Sequence, residues 1–398
     1  MAAGLGPEGL LMVEGEKKKK IVFAMIEAGG GHKAPAKAIM DALAELAPNR
    51  YELMLSDLMK DLDCVDFDRE HKNLWDGFLE RPLLTTFAFY VEEILDPISR
   101  FFIKRYPLPF VPYAERWLKE YRPDVIVSTH FLNSFALIEA RKRSGVPFTL
   151  VTCVSDAFGV YCNWIVKETD YLIAYTEESR KTLIQRGVSP EKIRIMDYPV
   201  NGAFFRGKRE RAAVRAELGI EAGRKALLVS FGAQGFGGID PFLRVLERAK
   251  LGIDVIVVTG RNEALNARLE KEWARPEGGL KVRALGFVSN MNELIEASDF
   301  CFIKPGSATT MEVLLSRKPV LFYSSVSPNE RWNTDFAVRA GVGFRVGKNP
   351  FAFLDAVKAL QEPGALKVIE RRYEALAMAN GDRQIAAFID KLASGSAD

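Results

Sequence analysis

The sequence predicts an α/β protein made of two doubly wound, parallel-sheet domains facing each other across a cleft. Two observations carry this. Short, wholly apolar runs alternate with amphipathic ones along most of the 398 residues, the pattern of buried parallel strands joined by crossover helices. Each half also opens with a glycine-rich connection after a strand, Gly29-Gly30-Gly31 in the first and Gly232-Ala233-Gln234-Gly235-Phe236-Gly237-Gly238 in the second. Such loops sit at the carboxyl ends of parallel strands and let backbone approach a ligand closely.

The length suits two domains of ordinary size. With 48% hydrophobic and 27% charged residues, the composition is that of a globular protein. A net charge of +3 is too small to point to nucleic acid. No apolar run approaches the roughly 20 residues of a membrane-spanning helix. The lysines at 17–20 follow the first apolar residues instead of preceding them, so no secretory pattern is expected. Cys64, Cys153, Cys162 and Cys301 are scattered with no CxxC pair, and read as reduced core thiols in the cytoplasm. No metal and no cofactor is expected.

Taken in order, residues 1–19 read as a disordered tail with a basic end. Its lysines are either a solvated lead-in or a membrane-surface contact. Residues 20–205 read as the first domain, opening with a strand at 21–26, the glycine loop and a helix to Leu46. The loop has neither GxGxxG spacing nor a GK[ST] ending, so it fits neither a standard dinucleotide nor an ATP site. After a strand at 51–56, aromatic residues crowd positions 67–121, among them Phe87, Phe89, Tyr90, Phe101 and Phe102, beside Arg81, Arg100, Lys104 and Arg105. That stretch suits a helical core or a surface that dips into a lipid headgroup layer. Strands at 124–128, 148–153, 171–174 and 193–196 complete the domain, and 206–211 reads as the linker.

Residues 206–375 read as the second domain, with strands at 226–230, 255–259, 282–284, 300–303 and 319–323. Residues 376–398 read as a C-terminal helix expected to pack back on the first domain. The fourth of these strands runs into Lys304-Pro305-Gly306-Ser307-Ala308-Thr309-Thr310-Met311-Glu312. A buried strand ends there, the chain turns at Pro-Gly, and a helix begins on small hydroxylated residues. Its free N–H groups and positive dipole end suit a phosphate, and Glu312 suits ribose hydroxyls. An ordinary capped strand–helix connection is the alternative.

Two phosphate-friendly loops across one cleft, without GxGxxG, favour a nucleotide with a transferable group over hydride transfer. The residues at 28–36, the segment Asp156 to Trp164, Gly286-Phe287-Val288 and Lys304 to Glu312 together resemble the monogalactosyldiacylglycerol synthase and diacylglycerol glucosyltransferase family. These are GT-B glycosyltransferases related to the peptidoglycan lipid-intermediate N-acetylglucosaminyltransferase, and the resemblance spans about residues 20 to 375. It implies a UDP-sugar held by the C-terminal domain. Phe287 and Val288 would present backbone to uracil, and Glu312 would bind the ribose. Pro305, Gly306, Ser307, Ala308, Thr309 and Thr310 would hold the pyrophosphate, with Gly232, Gln234 and Gly235 closing over it. Asn329, Glu330 and Asn333 lie where the family contacts the donor sugar. On the acceptor side the resemblance implies Gly30, Gly31, Tyr161 and Trp164, with His32 and Asp156 as catalytic residues. Tyr161 stands about where the family has a histidine, and Asn329-Glu330-Arg331-Trp332-Asn333 replaces the family's usual sugar loop. Both departures bear on which sugar and which lipid are used.

The expected chemistry is a single inverting displacement. A lipid hydroxyl is a poor nucleophile at neutral pH, so a base, His32 or its rival Asp156, must take its proton. The helix start at Ser307 would stabilise the departing UDP without a metal. The DxD-like strings Asp61-Leu62-Asp63 and Asp66-Phe67-Asp68 read as solvated charges. Expected partners are a UDP-sugar, a diacylglycerol-like lipid and the inner face of the cell membrane with its anionic lipids. Two alternatives stand beside this reading. One is a UDP-N-acetylglucosamine-dependent transferase acting on a polyprenyl-linked or other lipid; the other is a non-catalytic peripheral lipid-binding protein of the same fold. A UDP-sugar 2-epimerase fits less well, since a soluble sugar nucleotide needs no aromatic-basic acceptor region.

Overall fold

The computed structural model describes residues 18–27, 31–207, 209–232, 238–273, 280–325 and 327–395. The expected tail over 1–17 and the expected roles of Gly30, Gln234 and Gly235 lie outside the described residues.

The first domain runs β1 (Lys19–Met25), α1 (Lys33–Leu46) and β2 (Tyr51–Asp57), then a run of helices. These are α2 (Leu58–Asp61), α3 (Val65–Glu80), α4 (Pro82–Ile94), α5 (Asp96–Ile103) and α6 (Val111–Tyr121). The alternation resumes with β3 (Val125–Ser128), α7 (Phe131–Ser144), β4 (Thr149–Cys153), β5 (Tyr171–Ala174), α8 (Glu177–Gln185) and β6 (Ile193–Ile195). The second domain begins α9 (Arg211–Glu217), β7 (Lys225–Ser230), α10 (Asp240–Ala249), β8 (Ile253–Val258), α11 (Glu263–Trp273) and β9 (Lys281–Leu285). It continues α12 (Met291–Ala297), β10 (Phe300–Ile303), α13 (Ser307–Leu315), β11 (Val320–Phe322), α14 (Pro328–Arg339) and β12 (Gly343–Arg345). Helices α15 (Pro350–Gln361), α16 (Ala365–Leu376) and α17 (Asp382–Ser394) close the chain.

Each domain holds one six-stranded sheet, ordered β2-β1-β3-β4-β5-β6 and β12-β11-β10-β7-β8-β9. All the pairings are parallel. Ile21 to Met25 and Phe300 to Ile303 are apolar throughout because both sheet faces are covered. Strand β12 escapes the sequence pattern: it is 3 residues long, starts on Gly343 and lies at a sheet edge.

Strand order fixes where ligands go. In a doubly wound sheet the crevice opens at the carboxyl ends of the two neighbouring strands from which the chain winds in opposite directions. Those are β1 and β3 in the first domain and β7 and β10 in the second. The glycine loop with His32 follows β1; the glycine loop at Gly232 follows β7, and Lys304 to Ser307 follows β10.

Helix α17 leaves the second domain and packs on the first. Ile385, Ala386 and Ile389 share a core with Ile21, Phe23, Ile39 and Leu43. Its return path lies against the linker, where Asn380 exchanges two hydrogen bonds with the Val200 backbone, at 2.8 and 2.6 Å.

The aromatic stretch divides into buried and exposed residues. Phe67 and Phe110 are buried in the first domain's core, whereas Phe87, Phe101 and Phe102 are 66%, 52% and 65% exposed. Helices α4 and α5 are thus turned inside out. Ile94 and Ile98 also face outward, while the acids point in: Glu92 receives the Tyr161 hydroxyl, Glu93 pairs with Arg186, and Asp96 pairs with Arg100 at 2.7 Å. No described helix is long and apolar enough to cross a membrane.

Candidate active site

His32 is the residue just before α1, and β3 determines its tautomer. Its Nδ1 lies 2.9 Å from the Thr129 carbonyl and 2.9 Å from Ser155 Oγ. Ser155 itself donates to that carbonyl at 2.8 Å. A carbonyl only accepts, so Nδ1 carries the proton and Nε2 keeps the lone pair. Thr129 Oγ1 returns a hydrogen bond to the His32 carbonyl at 2.8 Å, so strand end and helix start clamp each other. Burial pushes the imidazole down to about 4, against the Thr129 bond that favours its charged form. It is therefore an unprotonated base at neutral pH.

The sequence reading missed the company His32 keeps. All three histidines of the chain meet here: the His130 ring is 4.5 Å from that of His32 and 6.0 Å from that of His71. His130 is buried and its Nδ1 accepts the Leu132 N–H at 3.2 Å, capping α7 and fixing its tautomer too. Burial, then mutual repulsion, holds His130 well below the usual range. Position at the end of β3 was the available signal, but the β1–β3 adjacency that makes it meaningful is a tertiary fact.

Asp156 lies on the loop between β4 and β5, which crosses over without an α-helix. It accepts the Tyr161 N–H at 3.2 Å, and the side chains of Asn329 and Trp164 lie close enough to favour its charged form. Burial pushes it up to about 7 despite those neighbours. Trp164 packs 6.4 Å from both His32 and His130. Tyr161 points its hydroxyl at Glu92 of α4, while Gly31 has open space where a Cβ would be.

On the donor side, Gly306 precedes α13 in extended conformation and Ser307 begins it. The loop is supported from below by α14. Asn333, wholly buried, donates to the Pro305 carbonyl at 2.9 Å and to Ser307 Oγ at 3.2 Å. Glu330 pairs with Lys304 at 3.0 Å. Asn333 and Glu330 therefore hold the loop. Ala308, Glu312 and Tyr198 line a cavity of about 170 Å³ with Ala34 and Lys37 of α1. Glu312 has its carboxyl pushed up to about 7 by burial. A second cavity, of about 450 Å³, lies beyond β8 and β9 between Arg261, Asn266, Gly286 and Phe287. The Arg261 guanidinium sits 5.8 Å from the Phe287 ring; sequence reasoning gave Phe287 but not Arg261. Val288 is half-buried against the core, Thr310 is wholly buried, and Thr309 is half-buried. Gly232 takes a positive φ of 90° at the edge of its loop.

The aspartates of the DxD-like strings have local partners: Asp61 accepts from Ser56 at 2.7 Å, and Asp66 and Asp68 pair with Arg69 and Lys72 at 2.7 and 2.8 Å.

Residues 32–200 match the family model described as Monogalactosyldiacylglycerol (MGDG) synthase. Monogalactosyldiacylglycerol synthase 1 of Arabidopsis thaliana is 26% identical over 367 residues, covering 87% of this chain and 66% of the relative. The chain is similar to the MGDG synthases. Its architecture is the GT-B fold. Acinetobacter baumannii MurG superposes with a TM-score of 0.60 at 13% identity, over 94% of this chain and 100% of that one. The UDP-GlcNAc 2-epimerase of Neisseria meningitidis, bound to UDP-GlcNAc, gives 0.59 at 14% identity, over 94% and 99%.

The two domains meet at α14. Phe158 stacks on Phe336 at 3.8 Å, and Trp332 lies so close to Gly159 that a Cβ there would fall 2.2 Å from its indole. Gly159→Ala is expected to push α14 away at a cost of about 1–3 kcal/mol. Calorimetry should show a lower Tm, and steady-state kinetics a raised donor KM.

Proposed function

We propose that the protein is an inverting glycosyltransferase that moves a hexose from a UDP-sugar to the hydroxyl of a diacylglycerol-like lipid at the membrane surface. One observation carries the reading. Helix α1, which begins just after His32, and helix α13 meet at one cavity, lined by Ala34 and Lys37 of the first and by Ala308 and Glu312 of the second. A base at the start of one helix and an anion-stabilising start of the other are what displacement at an anomeric carbon requires.

The lipid hydroxyl attacks the anomeric carbon as its proton passes to His32 Nε2. The carbon–oxygen bond to the diphosphate breaks, and its electron pair leaves with UDP. The N–H groups of α13 then meet the growing negative charge. Glu312 accepts from the ribose hydroxyls, and Arg261 and Phe287 enclose the uracil. Asp156 holds the acceptor loop against Asn329 and Trp164. No metal is assigned a role in this scheme.

A lipid acceptor is supported by the inverted amphipathy of α4 and α5. Burying Phe87, Ile94 or Phe102 in lipid would gain about 1.5–3 kcal/mol apiece. Arg105, 3.6 Å over the Phe101 ring, stands at headgroup level. That surface favours this reading over a sugar-nucleotide epimerase of the same fold, and it supports peripheral attachment, which we propose is to the inner face of the cell membrane.

The test is to incubate the protein with a panel of radiolabelled UDP-sugars and a mixed lipid extract. A labelled lipid supports the proposal and names both substrates. Label that stays water-soluble in an epimerised sugar nucleotide would overturn it.

A further inference from the structure

Helix α4 is bonded to both walls of the cleft. The Tyr161 hydroxyl donates to the Glu92 carboxylate, and the Cys162 N–H donates to Glu93 at 3.3 Å. The Phe89 ring packs edge-on against Tyr161 at 5.4 Å. The same Tyr161 donates its own N–H to Asp156. On the donor side, Arg331 of α14 donates to the Tyr90 hydroxyl of α4 at 2.7 Å. Asp156 is therefore tied to α4 through Tyr161, and α4 is in turn tied to α14 through Tyr90.

We infer that α4 couples membrane docking to the acceptor loop, with Tyr161 and Glu92 as the positioning pair that transmits it. The inference rests on reading the outer face of α4 and α5 as lipid-facing. A surface can shift a conformational equilibrium only through a difference in affinity for the two states. Here the outer face supplies that difference. Lipid binds best the arrangement in which Phe87, Ile94, Ile98 and Phe102 present one continuous surface. In that arrangement the inner face offers Glu92 and Glu93 to residues 161 and 162, and the loop carrying Asp156 and Trp164 is fixed. In water the exposed apolar face gains nothing from holding α4 in place, so the loop is released more often. Tyr161, standing where the resembled family has a histidine, has the reach to hold Glu92. Docking thus sets the geometry of the site as well as bringing the acceptor to it.

Hydrogen exchange with and without vesicles of equimolar phosphatidylcholine and phosphatidylglycerol tests this independently of catalysis. In the unaltered protein vesicles are expected to slow exchange in α4 and α5 and also in residues 156–164. The slowing in the loop should be on the order of tenfold, the scale of one hydrogen bond to a charged group. In Tyr161→Phe, α4 and α5 should still be protected while the loop no longer responds. Glu92→Ala should behave the same way, and Glu92→Gln, which keeps an acceptor oxygen, should restore the response. A loop indifferent to vesicles while α4 and α5 are protected, or a Tyr161→Phe loop that still responds, would overturn the coupling alone. Unprotected α4 and α5 would overturn the membrane-facing reading and the coupling with it.

Discussion

Replacing His32 by alanine is expected to lower kcat by roughly 100- to 10,000-fold, the usual contribution of a positioned base, while UDP affinity stays at its starting value. The separation follows from the fold, since His32 belongs to the first domain and the nucleotide contacts to the second. The pH–rate profile identifies the base. With His32 in that role the active form is the neutral imidazole, so kcat should rise through about 4 and then stay level as pH climbs. With Asp156 in that role the active form is the carboxylate, and kcat would rise instead through about 7. A rising limb near 7 at saturating donor, together with a mild His32→Ala phenotype, would transfer the assignment to Asp156.

Glu312→Ala should weaken UDP binding by roughly 10- to 100-fold, the equivalent of about 1.5–3 kcal/mol for hydrogen bonds to a charged group. The unaltered protein should show a pH signature of its own. The folded-state pKa of Glu312 is raised to about 7 by burial, so in the free protein the carboxyl is protonated below that value. Ribose hydroxyls bond best to the carboxylate. Affinity should therefore climb with pH up to about 7 and level off above it. Because its folded pKa lies above its unfolded one, Glu312 also makes the free protein less stable as pH rises through about 7, and UDP should offset more of that loss on the alkaline side. Isothermal titration across this range, with Glu312→Ala giving a flat dependence, checks both statements. A UDP affinity that ignores both pH and the substitution would remove Glu312 from the site.

How much of this could be read from the chain depended on whether the signal was local. Strands such as Phe300 to Ile303 announce themselves, because a strand buried on both faces can contain little but apolar residues. Strand β12 does not, being short and at an edge. The helix start at Ser307 was legible from Pro305-Gly306 and the hydroxylated residues that follow. What supports it was not, because Asn333 and Glu330 reach Pro305, Ser307 and Lys304 from a separate helix. The histidines show the same division. His32 stood out on its glycine loop, while His130 and His71 look ordinary until β3 is placed beside β1 and α3 is folded over them. The aromatic stretch was ambiguous for a different reason. Core helices and helices with an exposed apolar face draw on the same residue types, and only the inward partners of the α4 acids show which way its apolar residues turn.

The return of α17 to the first domain has a consequence for how the protein is made. Synthesis delivers β1, α1 and β2 before the second domain, yet Ile385, Ala386 and Ile389, which cover one face of that sheet, follow the second domain in the chain. The nascent first domain therefore waits, with apolar surface uncovered, while the whole second domain is translated and folds. The first domain can be completed only after the second has been made.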